Sequence, residues 1–330
     1  MRLRELTYRE AIREAIGQEM AADENILIMG EDIGVYGGMY GVTQGLLAQF
    51  KKERVRDTPV AETAIVGTAI GAALAGMKPI VEIMSSDFMF VAANEINNDA
   101  AKWRYQHGGK VKVPLVLRAP VGTSGGTGPE HAQSPEAYYL HTPGLKIVMP
   151  STPYDAKGLL ISAIHDGNPV LYFEHRRLYD VTGDVPEEVY KVPIGLCKVI
   201  EEGSDATIIS WSWMLHRSLE AADRLRKEGL NAEVIDLRSI LPMDREGCLK
   251  SARKTGRVVV VEESNVTGGV GAEISAFICE NAFEHIEAPI SRVGFPDIPV
   301  PFNPALENWA IPSVERIVES VRTVCAFQRH

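Results

Sequence analysis

Thr58-Pro59-Val60-Ala61-Glu62-Thr63-Ala64-Ile65-Val66-Gly67 opens a run that continues through Gly71 and Gly76. It then passes Lys78-Pro79-Ile80-Val81-Glu82-Ile83-Met84 and ends in Ser85-Ser86-Asp87-Phe88. Pro59 just ahead of Glu62 predicts a helix starting near Val60, with Glu62 in its first turn. From Glu62 to Met77 the residues are almost all Ala, Gly, Ile, Val and Leu, which predicts a helix over 60–76 buried on every side. Gly67, Gly71 and Gly76 each weaken such a helix by about 1 kcal/mol relative to Ala, a cost that close approach of a backbone or ligand would explain. The plain reading of Glu62 is a negative charge favoured at a helix N-terminus by about 0.3–1 kcal/mol. A carboxylate at the mouth of so apolar a helix, if unpaired, would instead hold its proton above the usual value of about 4.3 and serve as an acid–base group. The surrounding chain favours this second reading.

The next strand, Pro79–Met84, ends at Ser85-Ser86-Asp87-Phe88, and ligands of open parallel sheets gather at that end of the strands. Phe88 reads either as plain core or as a ring for stacking on a ligand. Before it, the Thr7–Glu10 capping box opens a helix, Asn25–Met29 is a strand, and five glycines between Gly30 and Gly41 make a tight loop. That loop lacks the dinucleotide-binding glycine fingerprint. After it, 89–107 reads as a helix and Val113–Arg118 as a strand, followed by the Gly- and Ser-rich stretch 120–135. Gly122-Thr-Ser-Gly-Gly126 matches the nucleophile elbow of hydrolases, but the glycines and Pro129 that follow cannot start the helix that motif needs. His131 in this loop reads as a satisfied surface residue or as a functional group titrating near neutrality; its place in a loop after a strand favours function. Leu145–Met149 and Val170–Glu174 are strands, separated by a helix that Thr152 caps and Pro153 opens.

Residues 181–195 read as a linker between an α/β domain at 1–180 and a second at 196–330. The second restarts the alternation with strands near 206–210, 233–237, 257–262 and 289–294. Strands alternating with helices predict parallel sheets covered on both faces. The 330 residues suit two domains. The net charge of −10 argues against nucleic-acid binding, which needs a basic face. No stretch is long and apolar enough for a membrane span, and the N-terminus lacks a signal-peptide core. Cys197, Cys248, Cys279 and Cys325 form no Cys-x-x-Cys pair and read as reduced core residues of a cytoplasmic protein.

Longer strings carry a family resemblance: Met-Gly-Glu-Asp at 29–32, Arg-Asp-Thr-Pro-Val-Ala-Glu at 56–62, Gly-Ala-Ala-Leu-Ala-Gly-Met-Lys-Pro at 71–79, His-Ala-Gln-Ser at 131–134, Pro-Gly-Leu-Lys-Ile-Val-Met-Pro at 143–150, Asp-Leu-Arg-Ser-Ile-Leu-Pro-Met-Asp at 236–244 and Gly-Gly-Val-Gly-Ala-Glu-Ile at 268–274. The chain resembles the β subunits of the thiamine-diphosphate-dependent 2-oxo acid dehydrogenases, of pyruvate, branched-chain or acetoin type. The resemblance implies a thiamine-diphosphate pyrimidine-binding domain followed by a transketolase C-terminal domain. It implies oxidative decarboxylation of a 2-oxo acid, pyruvate first, with acyl transfer to lipoyl groups of an acyltransferase core; acetoin or branched-chain substrates are the alternatives. By position, Glu62 becomes the carboxylate that bonds the cofactor's aminopyrimidine, Phe88 its stacking ring, and Glu31 and Val60 residues of the same pocket. His131 becomes the active-site histidine. Leu115, Ala163, Asp166 and Asn168 fall at a monovalent-cation site, usually potassium, although Asp166-Gly-Asn168 equally suits a simple turn.

A magnesium-anchoring Gly-Asp-Gly…Asn string is missing from the sequence; Gly183-Asp184-Val185 is the nearest match. The resemblance therefore implies that an α chain holds Mg2+ and the diphosphate, in an α2β2 assembly. Asn94-Glu95 departs from the Asp-Gln common in relatives. A non-catalytic structural subunit is the competing class, and retention of Glu62, Phe88 and His131 argues against it.

Overall fold

The computed structural model describes residues 3–328. The chain divides into two compact units, one formed by the residues up to Val121 together with Tyr138–Ile194, the other by Gly122–Ala137 together with the residues from Gly195.

In the first unit six strands run parallel in the order Lys146–Val148, Val170–His175, Val116–Val121, Lys78–Glu82, Ile26–Gly30 and Val55–Asp57. Strands covered on both faces need apolar side chains on both, and all five residues of Ile26–Gly30 and all six of Val116–Val121 are buried. The helix Tyr8–Ala22 starts at the predicted capping box. Thr7 accepts from the Glu10 amide at 3.3 Å, and the Glu10 carboxylate accepts from the Thr7 amide at 2.8 Å. The helix Pro153–Asp166 is capped by Thr152, which accepts from the Asp155 amide at 3.1 Å. A further pair lies apart from the six strands: Leu3–Thr7 runs antiparallel to Thr182–Pro186, inside the stretch expected as linker.

In the second unit the strand order is Ser291–Phe295, Val258–Asn265, Ala206–Ser210, Ala232–Asp236 and Lys198–Glu201. The first four are parallel and Lys198–Glu201 adds an antiparallel edge. The helices Trp213–Lys227 and Val314–Ala326 pack their Met214, Leu215, Leu225, Ile317, Val318 and Val321 onto one face of this sheet. The α/β class expected from the alternation is the one observed.

Two expectations about the first unit need correction. The helix that begins at Glu62 spans Glu62–Leu74, and it is not buried all round: Thr63, Ala64, Gly67, Thr68 and Gly71 are exposed. Apolar composition dictates an aversion to water, not which surface of this chain answers it. Gly71 and Gly76 have nothing within 4 Å of where a Cβ would stand, so no neighbour within the chain explains them by close approach. Gly76 instead takes φ +94°, which ends the helical turn. The stretch 89–107 is also no single helix; it breaks into a 3₁₀ turn at Ser86–Phe90, a π-helical segment at Glu95–Ala100 and a short α-helix at Trp103–Gln106. Such bulged helices recur at functional sites.

Candidate functional site

Several buried charged side chains of the first unit, among them Glu31, Glu82, Asp87 and Glu174, lie toward the carboxyl ends of its strands. Strand Ile26–Gly30 lies beside Lys78–Glu82 with Gly30 opposite Glu82. A Cβ at Gly30 would stand 2.5 Å from the Glu82 carbonyl oxygen, so only glycine permits this approach. Glu31 follows at once and is buried. Across the sheet edge, the Thr58 amide donates to the Gly30 carbonyl at 3.0 Å. That bond carries the chain from Val55–Asp57 past the strand end and into the helix whose first residue is Glu62. The two carboxyl groups are thereby brought together, Glu31 6% and Glu62 8% exposed. Burial, with the charges of Glu62 and Asp32 nearby, raises the pKa of Glu31. Its Oε1 has no hydrogen-bond partner among the described residues, which leaves that oxygen able to accept a bond.

Phe88 is half-buried in the 3₁₀ turn Ser86–Phe90. The Thr63 hydroxyl, one residue past Glu62, donates to the Val91 carbonyl at 3.0 Å, and the Val91 amide donates to the Phe88 carbonyl at 3.0 Å. The start of the Glu62 helix and the segment bearing Phe88 are thus tied together. Val60, just before this helix, is 78% exposed.

Two buried networks that sequence reasoning missed support this floor. Arg118 Nη1 donates to Glu82 Oε2 at 2.7 Å, while its Nε and Nη2 donate to the two oxygens of Glu174 at 2.7 and 2.8 Å. Tyr179 donates to Glu174 at 2.8 Å. Burial works against the Arg118 charge, but Glu174 and Glu82 outweigh it and its pKa is raised; burial likewise raises that of Glu174, against the pull of Arg118. Beside them Arg176 donates to Ser85 Oγ at 2.8 Å and to the Tyr40 hydroxyl at 3.1 Å, and Ser85 donates to Asp87 at 2.5 Å. Tyr40 stacks on Tyr179 with centroids 4.5 Å apart. The residues in these clusters lie on neighbouring strands and loops far apart in sequence, so no local motif announces them.

His131 lies in the other unit, exposed in the segment Gly122–Ala137. Its amide donates to the Gly128 carbonyl at 3.4 Å and its carbonyl accepts from the Thr127 hydroxyl at 3.2 Å. Ser124 Oγ lies 3.4 Å from Thr127 Oγ1 and the next helix starts only at Glu136, so the strand-turn-helix of a nucleophile elbow is not formed. Of the four cysteines, all free, only Cys248 is buried, and Cys279 is exposed, against the expectation of four core residues.

Of the four positions set at a cation site, the Leu115 carbonyl accepts from the Val170 amide at 2.8 Å, and Asn168 donates to Asp166 at 2.7 Å. Asp166 also pairs with Lys146, and Arg104 donates to Asn168 at 2.6 Å. Ala163 is buried within the Pro153–Asp166 helix. Among the described residues no cluster of three or more His, Cys, Asp or Glu could hold a metal. No helix of the described residues is long and apolar enough to cross a membrane.

The fold and the site define a two-unit α/β protein with a buried acidic pair, a candidate ligand site, near the carboxyl ends of a parallel sheet. Residues 4–182 match the family described as "Transketolase, pyrimidine binding domain", and residues 195–317 match "Transketolase, C-terminal domain". The chain is 44% identical over 337 residues to the β subunit of acetoin:2,6-dichlorophenolindophenol oxidoreductase of Cupriavidus necator, covering 99% of each chain. It is 43% identical to the pyruvate dehydrogenase E1 component subunit β of Rickettsia felis, covering 98% of this chain and 99% of the relative. It is 44% identical to the 2-oxoisovalerate dehydrogenase subunit β of Bacillus subtilis, again covering 98% and 99%. Among solved structures, one described as "Split gene transketolase, inactive beta4 tetramer" matches with a TM-score of 0.81 at 25% identity, covering 98% of this chain and 99% of that one. The chain belongs to the family of 2-oxo acid dehydrogenase β subunits, built from these two transketolase domains.

Proposed function

We propose that this chain is the β-type subunit of an enzyme that oxidatively decarboxylates a 2-oxo acid, pyruvate first, and passes the acyl group to lipoyl groups of an acyltransferase core. The observation that carries this reading is the buried Glu31–Glu62 pair, with one Glu31 oxygen unpartnered, at the mouth of an apolar helix. These residues fit an aminopyrimidine. Thiamine diphosphate, when bound, supplies the nucleophilic carbon and the electron sink for loss of carbon dioxide. Glu62 holds and returns the proton of a ring nitrogen, and its burial keeps water from competing for that bond. Glu31, its pKa raised chiefly by burial, lines the same pocket and offers its unpartnered oxygen to the ring. Phe88 offers its half-buried face for stacking, and Val60 an apolar edge. His131 serves the acyl transfer.

The diphosphate and Mg2+ belong to an α-type partner in an α2β2 assembly. The exposed, uncharged face Thr63, Ala64, Gly67, Thr68 and Gly71 supports a chain packed against it, because so apolar a surface costs free energy in water. A potassium ion would sit at Leu115, Ala163, Asp166 and Asn168, held by several of them through backbone carbonyls. Four free cysteines suit a reducing cytoplasm.

The test is decarboxylation with an artificial electron acceptor, thiamine diphosphate and magnesium, with and without a co-expressed α-type chain. Pyruvate, branched-chain 2-oxo acids, 2-oxoglutarate and acetoin form the panel. Turnover of pyruvate only with the partner is expected. Preference for acetoin or a branched-chain acid would replace the substrate, and silence across the panel with a fully assembled tetramer would favour the structural-subunit reading.

A further inference from the structure

The loop that carries His131 is anchored within its own unit by carboxylates. The Gly122 amide donates to the Gln133 carbonyl at 3.0 Å, closing the loop's base. The Thr123 amide donates to Glu263 Oε1 at 2.7 Å. The next two bonds come from one side chain: Gly125 donates to Glu307 Oε1 and Gly126 to Glu307 Oε2, each at 2.8 Å. Glu307 is fully buried, and amides bonded to an ionised carboxylate are held about twice as strongly as amides bonded to a neutral acceptor.

Glu307 is itself firmly placed. It sits on the short helix Pro304–Ala310, whose first turn is capped by Asn303, with Oδ1 accepting from Ala305 at 2.9 Å and Leu306 at 3.4 Å. The Glu307 amide donates to the Asn303 carbonyl at 2.9 Å. The approach of the two segments is close. A Cβ at Gly126, which has φ +99°, would stand 2.8 Å from the Phe302 carbonyl oxygen, and one at Gly128, with φ +81°, would stand 3.0 Å from the Phe302 ring. Only glycine fits both the space and the backbone angle.

We propose that Glu307 is a positioning residue for His131, its two carboxylate oxygens clamping the consecutive Gly125 and Gly126 amides so that the Pro304–Ala310 helix sets where the imidazole is presented. The link from clamp to imidazole is short. Thr127 follows Gly126 directly, and its hydroxyl holds the His131 carbonyl. The inference rests on the reading of His131 as the residue serving acyl transfer. It adds that the histidine's position is governed from a helix more than 170 residues along the chain (the Gly126–Glu307 bond spans 181 residues).

Glu307→Gln keeps the side chain's shape but replaces one acceptor with an amide donor, which then faces a backbone N–H. Glu307→Asp keeps the carboxylate and shortens its reach. In the assembled enzyme, hydrogen exchange of the peptide spanning Gly125 and Gly126 should quicken about 10-fold in Glu307→Gln, the factor that loss of one such bond allows. The kcat for acylation of lipoyl domains should fall by about 10-fold or more, within the ~100-fold that a ~1 Å misplacement can cost, with KM for the lipoyl domain little changed. Glu307→Asp should recover part of both effects. In a cycle with His131→Ala, the double variant should be no slower than His131→Ala alone, because the clamp acts through the imidazole. Unchanged exchange in Glu307→Gln, or effects of the two substitutions that simply multiply, would overturn the proposal. If His131→Ala alone leaves lipoyl acylation intact, the reading of His131 fails rather than the clamp, and the exchange measurement then decides the clamp by itself.

Discussion

Glu136→Gln should flatten the protein's stability profile between about pH 4.5 and pH 8. Glu136 is 1% exposed and sits near Glu262, Glu263 and the Trp211 indole. Burial, reinforced by Glu262 and Glu263, raises its pKa from 4.5 to about 8. Folded, it therefore keeps a proton that the unfolded chain gives up near pH 4.5. The unfolded state binds fewer protons between those values, so stability is full below about pH 4.5 and declines as pH rises, until the folded carboxyl ionises near pH 8. Each tenfold change in proton affinity is worth about 1.4 kcal/mol, so this one group accounts for a decline on the order of 3–5 kcal/mol. Glutamine carries no such proton and removes this part of the slope. The Glu136 Oε2 atom has no hydrogen-bond partner among the described residues, so the glutamine amide also adds a buried donor, at a cost of about 1–3 kcal/mol at every pH. The discriminating quantity is thus the slope of the melting temperature against pH rather than its height. Thermal denaturation of the assembled protein from pH 5 to 9 should show wild type falling by several degrees more than the variant, at roughly 2–4 °C per kcal/mol for a unit of this size. Glu262, raised to about 7 chiefly by burial, leaves a residual slope in both. Parallel curves for the two proteins would refute the argument that Glu136 folds in its protonated form.

Glu62→Gln should lower kcat about 100-fold or more while the subunits still assemble, since the amide cannot pass a proton; near-normal turnover in steady-state assays would contradict the role given to Glu62. Arg118→Leu strands Glu82 and Glu174 without their cation and should cost about 3–5 kcal/mol, read as a large drop in melting temperature; a shift of less than a degree would mean that the triad is dispensable. Thr7→Ala removes one half of the capping box and should cost about 1 kcal/mol, measured by the same melt, with an unaltered midpoint as the contrary outcome.

What the sequence determined by itself is local or periodic. Strands alternating with helices stated two α/β halves, because burial on both faces leaves its mark on every residue of a strand. The Thr7–Glu10 and Thr152–Pro153 caps could be read because a cap joins residues three apart. Glu62 was legible as a singular carboxylate ahead of an apolar run. Glu31 was set beside it only by the family resemblance; the two are 31 positions apart, and the pairing of Ile26–Gly30 with Val55–Asp57, continued by the Thr58–Gly30 bond, is what makes them neighbours. The tertiary structure alone decided that one face of the Glu62 helix is left exposed, since hydropathy records an aversion to water and not the identity of the covering surface. It also decided the Arg118 triad, the Glu136 group and the Glu307 clamp, each assembled from residues tens to hundreds of positions apart. Pairings at such distances depend on strand order and register, which a one-dimensional pattern does not contain, and they hold the chemistry in place.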